Sequence, residues 1–288
     1  MATKIEWCRN PDGTPGETWS PIAMRCTPVS EGCAHCWHLR FAARHAANST
    51  LPPEMRTARA GGLLWMNEKE LRKPLSWRKP KMVAVQLMGD LFHESVHISY
   101  IADVFNIMAS RTTTCGKNHK HIDECWTGDF HTFLILTKRV ERMSKVLGGE
   151  LQNFIADKRA GSVLDESGTW PLPNVWLGVT AENQARWDER VSVLKHISAA
   201  KRFISVEPLL DYIYPKLVTS LDWVICGAEQ GPGARHMDQD WAIDLECKCR
   251  SFGVPFFFKK TSNGEAVHPA LDVHEFPLGY MNEVKHGA

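Results

Sequence analysis

The sequence predicts an α/β fold in which a parallel sheet forms a partial or complete (β/α) barrel. Two observations support this fold class. Short runs that are apolar at successive positions, as in strands buried on both faces, recur along most of the 288 residues. Amphipathic helical segments lie between these runs, and the β-α-β-α order predicts a parallel sheet with helices packed outside it. Six or seven such units are enough for a partial or complete barrel.

Each predicted element is recognised by its length and by its pattern of apolar residues. The strands are short and apolar, and they are predicted at 82–88, 132–136, 175–179, 203–206, 223–226 and 254–258. The helices have apolar residues at helical spacing, and they are predicted at 35–47, 98–110, 140–147, 183–196 and 240–252. No internal repeat or low-complexity linker separates these elements. We therefore predict one domain over residues 1–288, with a small inserted loop at 111–130.

Composition limits the class of protein. The chain is 43% hydrophobic and 23% charged, so it can bury a substantial core and does not have the composition of a disordered protein. Its net charge of +1 gives no electrostatic preference for nucleic acid over a neutral partner. Nine cysteines, without an export signal, are expected to be reduced thiols or metal ligands. We therefore expect a cytoplasmic protein without a membrane-spanning segment.

The most informative local feature is a group of three cysteines in the run RCTPVSEGCAHCW. Cys26, Cys33 and Cys36 form a C-x6-C-x2-C array without an obvious fourth cysteine. A closed structural zinc site needs four ligands, whereas an iron–sulfur cluster held by three cysteines keeps one iron open for a cofactor. Radical S-adenosylmethionine (SAM) chemistry requires such an open iron. The alternative is a zinc site whose fourth ligand is one of the following: Cys8, His35 or His38.

Polar residues follow the predicted strands at the point where each strand ends. In a parallel barrel these positions meet at one rim, where barrel enzymes place their active sites. The rim residues in chain order are Gly89 and Asp90, Lys138 and Arg139, Thr180 and Glu182, Glu207, Glu229, and Lys259 and Lys260. The repetition at successive strands predicts a functional site at this rim.

Several sequence blocks in fixed order resemble a known family. These blocks are TKIEW, TWSP, VSEGCAHCW, MGDLFHESV, LTKRVERM, NVWLGVTAEN, RFISVEPLLD, WVICGAEQGPGARHMDQDW and GVPFFFKK. Over residues 3–260 they resemble the bacteriophage-associated three-cysteine-motif proteins. That family is in turn similar to radical SAM enzymes, most closely to the spore photoproduct lyase branch. The resemblance implies a barrel of the radical SAM type, although six residues rather than the usual three separate Cys26 from Cys33.

The resemblance also implies roles for the cysteines and for most rim residues. Cys26, Cys33 and Cys36 would hold a 4Fe–4S cluster, whose open iron takes the amino and carboxylate groups of SAM. The residues that would bind SAM are Gly89, Asp90, Lys138, Thr180, Glu182, Glu207 and Glu229. Glu207 and Cys226 are the catalytic candidates, Glu207 through contact with substrate and Cys226 as a donor of a hydrogen atom.

Most of these residues have a structural alternative. Asp90 could cap the segment that follows it. Glu207, which has apolar neighbours in VEPLL, could form an ion pair with a barrel lysine. Thr180 and Glu182 precede a helix and could belong to its N-terminal cap. Cys226 could be a small buried apolar residue.

The expected substrate is a nucleic acid or a nucleotide, with DNA favoured. Basic residues are concentrated between Arg40 and Lys81, with Trp65 and Trp77 nearby, and such a combination is typical of nucleic-acid-binding surfaces. Phosphate contacts are expected from the run 72–81, and a solvated face is the alternative. With the resemblance to a DNA-lesion lyase, this predicts the isomerisation of a nucleobase, such as a hypermodified thymine of phage DNA. Radical chemistry of this kind also needs an external electron donor.

Two other functions remain open at this point. The chain could be a non-catalytic, zinc-containing protein that binds nucleic acid, or another kind of enzyme with structural cysteines. A second zinc site is suggested by the pattern C-x3-H-x-H-x3-C inside the inserted loop. Its residues are Cys115, His119, His121 and Cys125. They lie in a charged run that is more typical of a solvated loop.

Overall fold

The computed structural model describes residues 2–110, 131–158, 170–277 and 279–280. In these ranges the protein is an α/β structure whose seven-stranded parallel sheet curls into a half-barrel. The strands lie in the order β1 (Glu17–Trp19), β4 (Met82–Val85), β5 (Thr132–Thr137), β6 (Val175–Thr180), β7 (Lys201–Val206), β8 (Trp223–Cys226) and β9 (Phe256–Phe258). A separate antiparallel pair consists of β2 (Ile22–Ala23) and β3 (Trp65–Met66). The prediction of a partial parallel barrel is confirmed.

Helices cover one face of the sheet and form part of the cavity wall. They are α1 (Trp37–Ala47), α2 (Pro53–Ala60), α3 (Glu68–Leu71), α4 (Ile98–Ala109), α5 (Val140–Lys145), α6 (Leu151–Lys158), α7 (Gln184–Leu194) and α8 (Gln239–Ser251). Local side chains fix where helices begin. The side chain of Asn183 accepts a hydrogen bond from the Arg186 N–H at 3.0 Å, and Asp238 accepts one from the Asp240 N–H at 3.0 Å. All five helices predicted from the sequence are present, and their ends differ from the predicted ones by at most a few residues.

The first strand of the sheet is not predicted by the sequence. β1 begins with Glu17 and has no continuous apolar run around it, so it lacks the pattern by which the other strands of the sheet are recognised. It pairs in parallel with β4, which places Trp19 opposite Val85. The predicted strand 82–88 also ends earlier, because Gln86 adopts a φ of 53° and its side-chain amide bonds to the backbone of Ile22. As a result, the cysteine segment begins at the carboxyl edge of the sheet.

The inner face of the half-barrel is filled by aromatic side chains at the amino-terminal half of the strands. The indole ring of Trp223 contacts the rings of Trp7, Trp176 and Phe203, with centroids 6.1–6.4 Å apart. At Gly178, a Cβ atom would come within 2.4 Å of the Phe203 ring, so only glycine leaves room for that ring. Further along β6 and β7, the inward positions carry Thr180 and Ser205, whose side chains are small and polar. Space therefore remains at the carboxyl edge of the sheet.

No helix in the described ranges is both long enough and apolar enough to cross a membrane. The inserted loop predicted at 111–130 lies outside the described residues. The four residues of the second zinc pattern, Cys115, His119, His121 and Cys125, lie outside them as well.

Candidate functional site

A cavity of about 470 Å³ opens at the carboxyl edge of the sheet. The ends of the strands form one wall, and the cysteine segment with the start of α1 forms the other. The predicted residues that line it are Cys26, Cys33, Cys36, Gly89, Asp90, Lys138, Thr180, Glu207 and Glu229. Glu182 and Cys226 do not line it. The volume falls within the range of small-molecule sites, so the predicted residues share one binding cavity.

The three cysteines lie on a short segment that passes directly from β2 into α1. Cys26, Cys33 and Cys36 are half-buried free thiols. Glu31–Cys33 forms a single 3-10 turn, and α1 begins at the residue after Cys36. All three side chains therefore reach the same cavity from one wall.

Arg139 fixes the first cysteine to the rim of the sheet. Its Nη1 donates to the Sγ of Cys26 at 3.5 Å and to Oδ2 of Asp90 at 3.2 Å. Its Nη2 donates to the carbonyl and hydroxyl oxygens of Thr27 at 3.0 and 2.9 Å, and its Nε donates to Glu94. Arg139 is only 6% exposed. Arg139 is thus one of the predicted rim residues, and it is buried rather than solvated; its hydrogen bonds to Cys26 and Thr27 are a positioning function that the sequence did not indicate.

Glu182, which follows the neighbouring strand β6, fixes the part of the cysteine segment that precedes Cys33. Its Oε1 accepts the Gly32 N–H at 3.0 Å, and Lys138 Nζ lies 3.5 Å from the same oxygen. Its Oε2 accepts a hydrogen bond from Arg190 Nη1 at 3.0 Å. Burial raises the pKa of Glu182, but the Lys138 and Arg190 charges outweigh burial and hold it below its usual value. Glu182 thus positions Gly32 beside Cys33 and is neither a helix cap nor a direct cavity ligand.

The two best-anchored thiols differ in acidity. Burial raises the pKa of Cys26 to about 11, although the Arg139 charge acts against this shift. At Cys33 burial acts in the same direction, but the Lys138 charge and hydrogen bonds from Val29 and Ser30 together outweigh it, and the pKa lies below the ordinary thiol value. Cys33 is therefore the more readily ionised of the two.

Asp90 is a positioning residue at the cavity wall. Its Oδ1 accepts the Phe92 N–H at 2.9 Å and the Thr137 hydroxyl at 2.7 Å, while Oδ2 faces Arg139. The alternative of a cap on the following segment is thus present, together with a second function of holding Arg139. The preceding Gly89 has a φ of 150°, and a Cβ there would lie 2.7 Å from Met24. Glycine therefore allows the backbone to approach this wall closely.

Two carboxylates on the opposite wall are paired with cations. Glu207 forms an ion pair with Lys259 at 2.5 Å, which matches the structural alternative considered for it. Glu229 binds Arg235 through both carboxylate oxygens, and Arg235 Nη2 also donates to the carbonyl of Glu31 at 3.1 Å. Glu229 therefore supports the cysteine segment through Arg235, while the partly exposed Glu207 and Lys259 remain accessible from the cavity.

Cys226 faces away from the cavity. Its side chain is fully buried in the core between the sheet and the helices, which also contains Leu245 and Cys249 of α8. Burial raises the pKa of the Cys226 thiol well above its ordinary value. This position matches the alternative of a small buried apolar residue, and we assign Cys226 no role in the chemistry of the cavity.

The basic run 72–81 lies at the opposite edge of the sheet from the cavity. Three of its cations have acidic partners: Arg72–Glu68 at 2.6 Å, Lys73–Glu70 at 2.8 Å and Lys81–Glu17 at 2.8 Å. Lys81 directly precedes β4 and Glu17 begins β1, so this run flanks the amino-terminal edge. Trp77 packs against the core and against His131. The run is therefore badly placed to guide a nucleic acid into the cavity.

Within the described ranges, no group of three or more His, Cys, Asp or Glu side chains is arranged to hold a single metal ion. Cys8 is buried away from the cavity, with its thiol directed at the carbonyls of Glu17 and Met82. Trp7, in the cavity wall, has a buried indole Nε1 without an acceptor among the described residues. An unsatisfied donor beside the cavity is compatible with a polar ligand.

Comparison with known proteins gives one match. The family model described as "Protein of unknown function (DUF5131)" matches residues 2–274. This range contains every residue of the cavity wall. Neither a curated protein nor a solved structure matches the chain. The function has therefore to be argued from the site itself.

Proposed function

We propose that this chain, which belongs to the family described as "Protein of unknown function (DUF5131)", is a radical SAM enzyme built around Cys26, Cys33 and Cys36. The observation that carries the proposal is the convergence of these three free thiols with polar rim residues on one cavity of a curled parallel sheet. A 4Fe–4S cluster held by the three thiolates would supply reductive cleavage of SAM to a 5′-deoxyadenosyl radical.

The donor set fits a cluster better than a closed zinc site. Zinc needs four ligands around one point, and two of the three candidates for a fourth ligand are badly placed. Cys8 is buried elsewhere, and the Nε2 of His38 accepts the backbone N–H of Cys26 at 3.4 Å. His35 lines the cavity together with the cysteines, so a zinc site completed by His35 is the specific alternative. A non-catalytic, zinc-containing protein would follow from that arrangement.

The residues of the cavity wall divide into those that hold the cysteine segment and those that reach the ligand. Asp90, Glu182 and Glu229 have partners within the protein, so we assign them to positioning. Lys138 is well placed to bind the carboxylate of SAM, since its ammonium group reaches the cavity and the pairing with Glu182 is long. Glu207 is suited to accept hydrogen bonds from ribose hydroxyls or from substrate. Gly89 and Thr180 would contribute close, uncharged contacts.

A nucleobase is the substrate class that we propose for this radical chemistry. The resemblance to a DNA-lesion lyase supports it, and the cavity volume is adequate for small ligands. Isomerisation of a modified base, such as a hypermodified thymine in phage DNA, is the reaction favoured. An external donor would provide the electron.

Anaerobic reconstitution with iron and sulfide tests the cluster directly. Wild-type protein should become brown, with broad absorption near ~400 nm. Cys26→Ala, Cys33→Ala and Cys36→Ala should each lose iron, whereas Cys247→Ala and Cys249→Ala on α8 should retain it. Equal iron content in all five variants would refute the ligand assignment, and zinc in a colourless protein would favour the alternative.

SAM cleavage tests the remaining part of the proposal. Under dithionite, cluster-loaded wild type should form 5′-deoxyadenosine, measured by mass spectrometry. Lys138→Met should weaken SAM binding while the iron content stays unchanged, because Lys138 is not a cluster ligand. Its matched control, Lys145→Met, changes an exposed lysine of α5 and should bind SAM normally. A loaded protein that leaves SAM intact would indicate another kind of enzyme.

A further inference from the structure

The outer face of α1 exposes two aromatic rings together with two arginines. Trp37 and Phe41 are 51% and 37% exposed, and their rings meet edge to face at 6.3 Å. Arg40 and Arg44 are also exposed. Because residues three, four and seven apart share one face of a helix, these four side chains form a continuous strip, here called the α1 strip.

The charge of the α1 strip is not balanced by neighbouring carboxylates. α1 has the sequence WHLRFAARHAA, without an acidic residue. In the described part of the chain, Arg40 and Arg44 form no ion pair, and neither does the nearby Arg25. The basic run 72–81 differs in this respect, because three of its cations are paired with glutamates. The α1 strip therefore offers unpaired positive charge beside exposed rings.

The α1 strip continues into the wall of the cavity. α1 begins directly after Cys36, and Trp37 is itself part of the cavity lining. The guanidinium group of Arg40 lies against Gly231, the residue after the cavity-lining Gln230, and a Cβ added at Gly231 would come within 2.8 Å of its Nη2. A molecule held on the α1 strip would thus have one end at the mouth of the cavity.

We propose that the α1 strip is a docking surface for a single-stranded nucleic acid. Base faces would stack on Trp37 and Phe41, and phosphates would contact Arg40 and Arg44, the combination by which proteins hold single strands without reading sequence. The α1 strip extends about 10 Å along the helix from Trp37 to Arg44, which matches about three stacked nucleotides at about 3.4 Å each. One unstacked base at the Trp37 end would enter the cavity.

This inference rests on the proposed function for its purpose, and it deepens that proposal by naming the form of the substrate. A base inside a duplex cannot reach a cavity of this kind without being extruded. A single strand, or a strand already separated from its partner, has unstacked bases and exposed phosphates. It therefore complements both the rings and the arginines of the α1 strip, whereas a duplex offers only its phosphates.

The binding test uses metal-free protein, so that it does not depend on the cluster. A labelled 12-nucleotide single strand of DNA, the same sequence in RNA, and the DNA duplex are titrated by fluorescence anisotropy. Arg40→Ala/Arg44→Ala should weaken single-strand binding about tenfold or more, and it should reduce the slope of log K against log salt by about 1.4. Trp37→Ala/Phe41→Ala should weaken it at least about fivefold at every salt concentration.

Matched controls are available at the opposite edge of the sheet. Arg78→Ala/Lys79→Ala removes two exposed cations from the run 72–81, and Phe252→Ala removes an exposed ring after α8. Both should bind like wild type. Circular dichroism and urea unfolding check that every variant is folded. The comparison of DNA with RNA shows which sugar is accepted.

The outcomes separate this inference from the proposed function. The inference would be overturned if wild type and both α1-strip variants bound the single strand equally well. It would also be overturned if Arg78→Ala/Lys79→Ala lost as much affinity as the α1-strip variants, or if the duplex bound more tightly than the single strand. An Arg40→Ala/Arg44→Ala protein that loses nucleic acid yet assembles the cluster and cleaves SAM supports docking as a separate function. Binding without any cluster assembly would retain the α1 strip and overturn the radical SAM assignment.

Discussion

Replacing Arg139 with methionine should destabilise the protein far more than removing an exposed ion pair. The substitution keeps an apolar stem of similar length but deletes the guanidinium group that contacts Asp90, Cys26 and Thr27. The side chains of Arg139 and Asp90 are almost fully buried, and only the Glu94 end of the network is exposed. The loss is therefore dominated by a buried carboxylate that is left without its cation.

The expected magnitude is about 3 kcal/mol. Removing one partner of a buried pair typically costs about 3–5 kcal/mol. The lower end applies here, because Asp90 keeps hydrogen bonds from the Phe92 N–H, the Thr137 hydroxyl and, at 3.3 Å, the Lys138 N–H. The contact with exposed Glu94 adds at most about 1 kcal/mol.

Urea unfolding of the metal-free protein, followed by tryptophan fluorescence, measures this cost. Lys145→Met is the control, since its pair with Glu150 is exposed and should contribute less than about 0.5 kcal/mol. In an Asp90→Asn background, Arg139→Met should cost at least about 1 kcal/mol less, because no buried charge is left behind. A loss below about 1 kcal/mol in the wild-type background, or the same loss in both backgrounds, would refute the reasoning.

Two further predictions concern packing and pH. Gly178→Ala should lower the free energy of unfolding in urea by about 1–3 kcal/mol, because its Cβ would overlap the Phe203 ring. Gly148→Ala is the control, since a Cβ there meets nothing within 4 Å and should not lower the free energy of unfolding. Equal stability of these two variants would contradict the packing described here. Burial lowers the pKa of His131, so the unfolded chain binds a proton at higher pH than the folded protein does. Stability should therefore fall as pH decreases below about 6.5, and it should fall less steeply in His131→Gln.

The fold could be predicted from the sequence wherever an element is long enough to show a period. Strands β4 to β9 satisfy that condition, since each lies in an apolar run of four to seven residues, and so do five helices. β1 does not, since three residues with Glu17 at the start give no pattern until β4 is beside them. The end of β4 is set by the distant bond between Gln86 and Ile22, which local propensity does not contain.

The cysteines at the cavity could be predicted from the sequence, but the contacts that hold their segment in place could not. Cys26, Cys33 and Cys36 are close in sequence, so their spacing is visible without a structure. Arg139 acts on a residue 113 positions away, and LTKR at the start of a helix looks like a solvated segment. The sequence allows Glu182 a role in SAM binding or in a helix cap, and it does not indicate the contact with Gly32; the cap itself is the neighbouring Asn183.

The tethering of the cysteine segment has a consequence for how such proteins can be recognised. Thr27 is held by Arg139 and Gly32 by Glu182, so both ends of the stretch between the first two cysteines are fixed to the sheet. The residues between these anchors, including Pro28 and Val29, are exposed and form a bulge. The number of residues in that bulge is then free to vary, since it does not determine where the thiols stand. A sequence search that requires a fixed number of residues between the first two cysteines would miss chains of this kind. A search that allows this number to vary, and that also requires an arginine and a glutamate after adjacent strands, would find them.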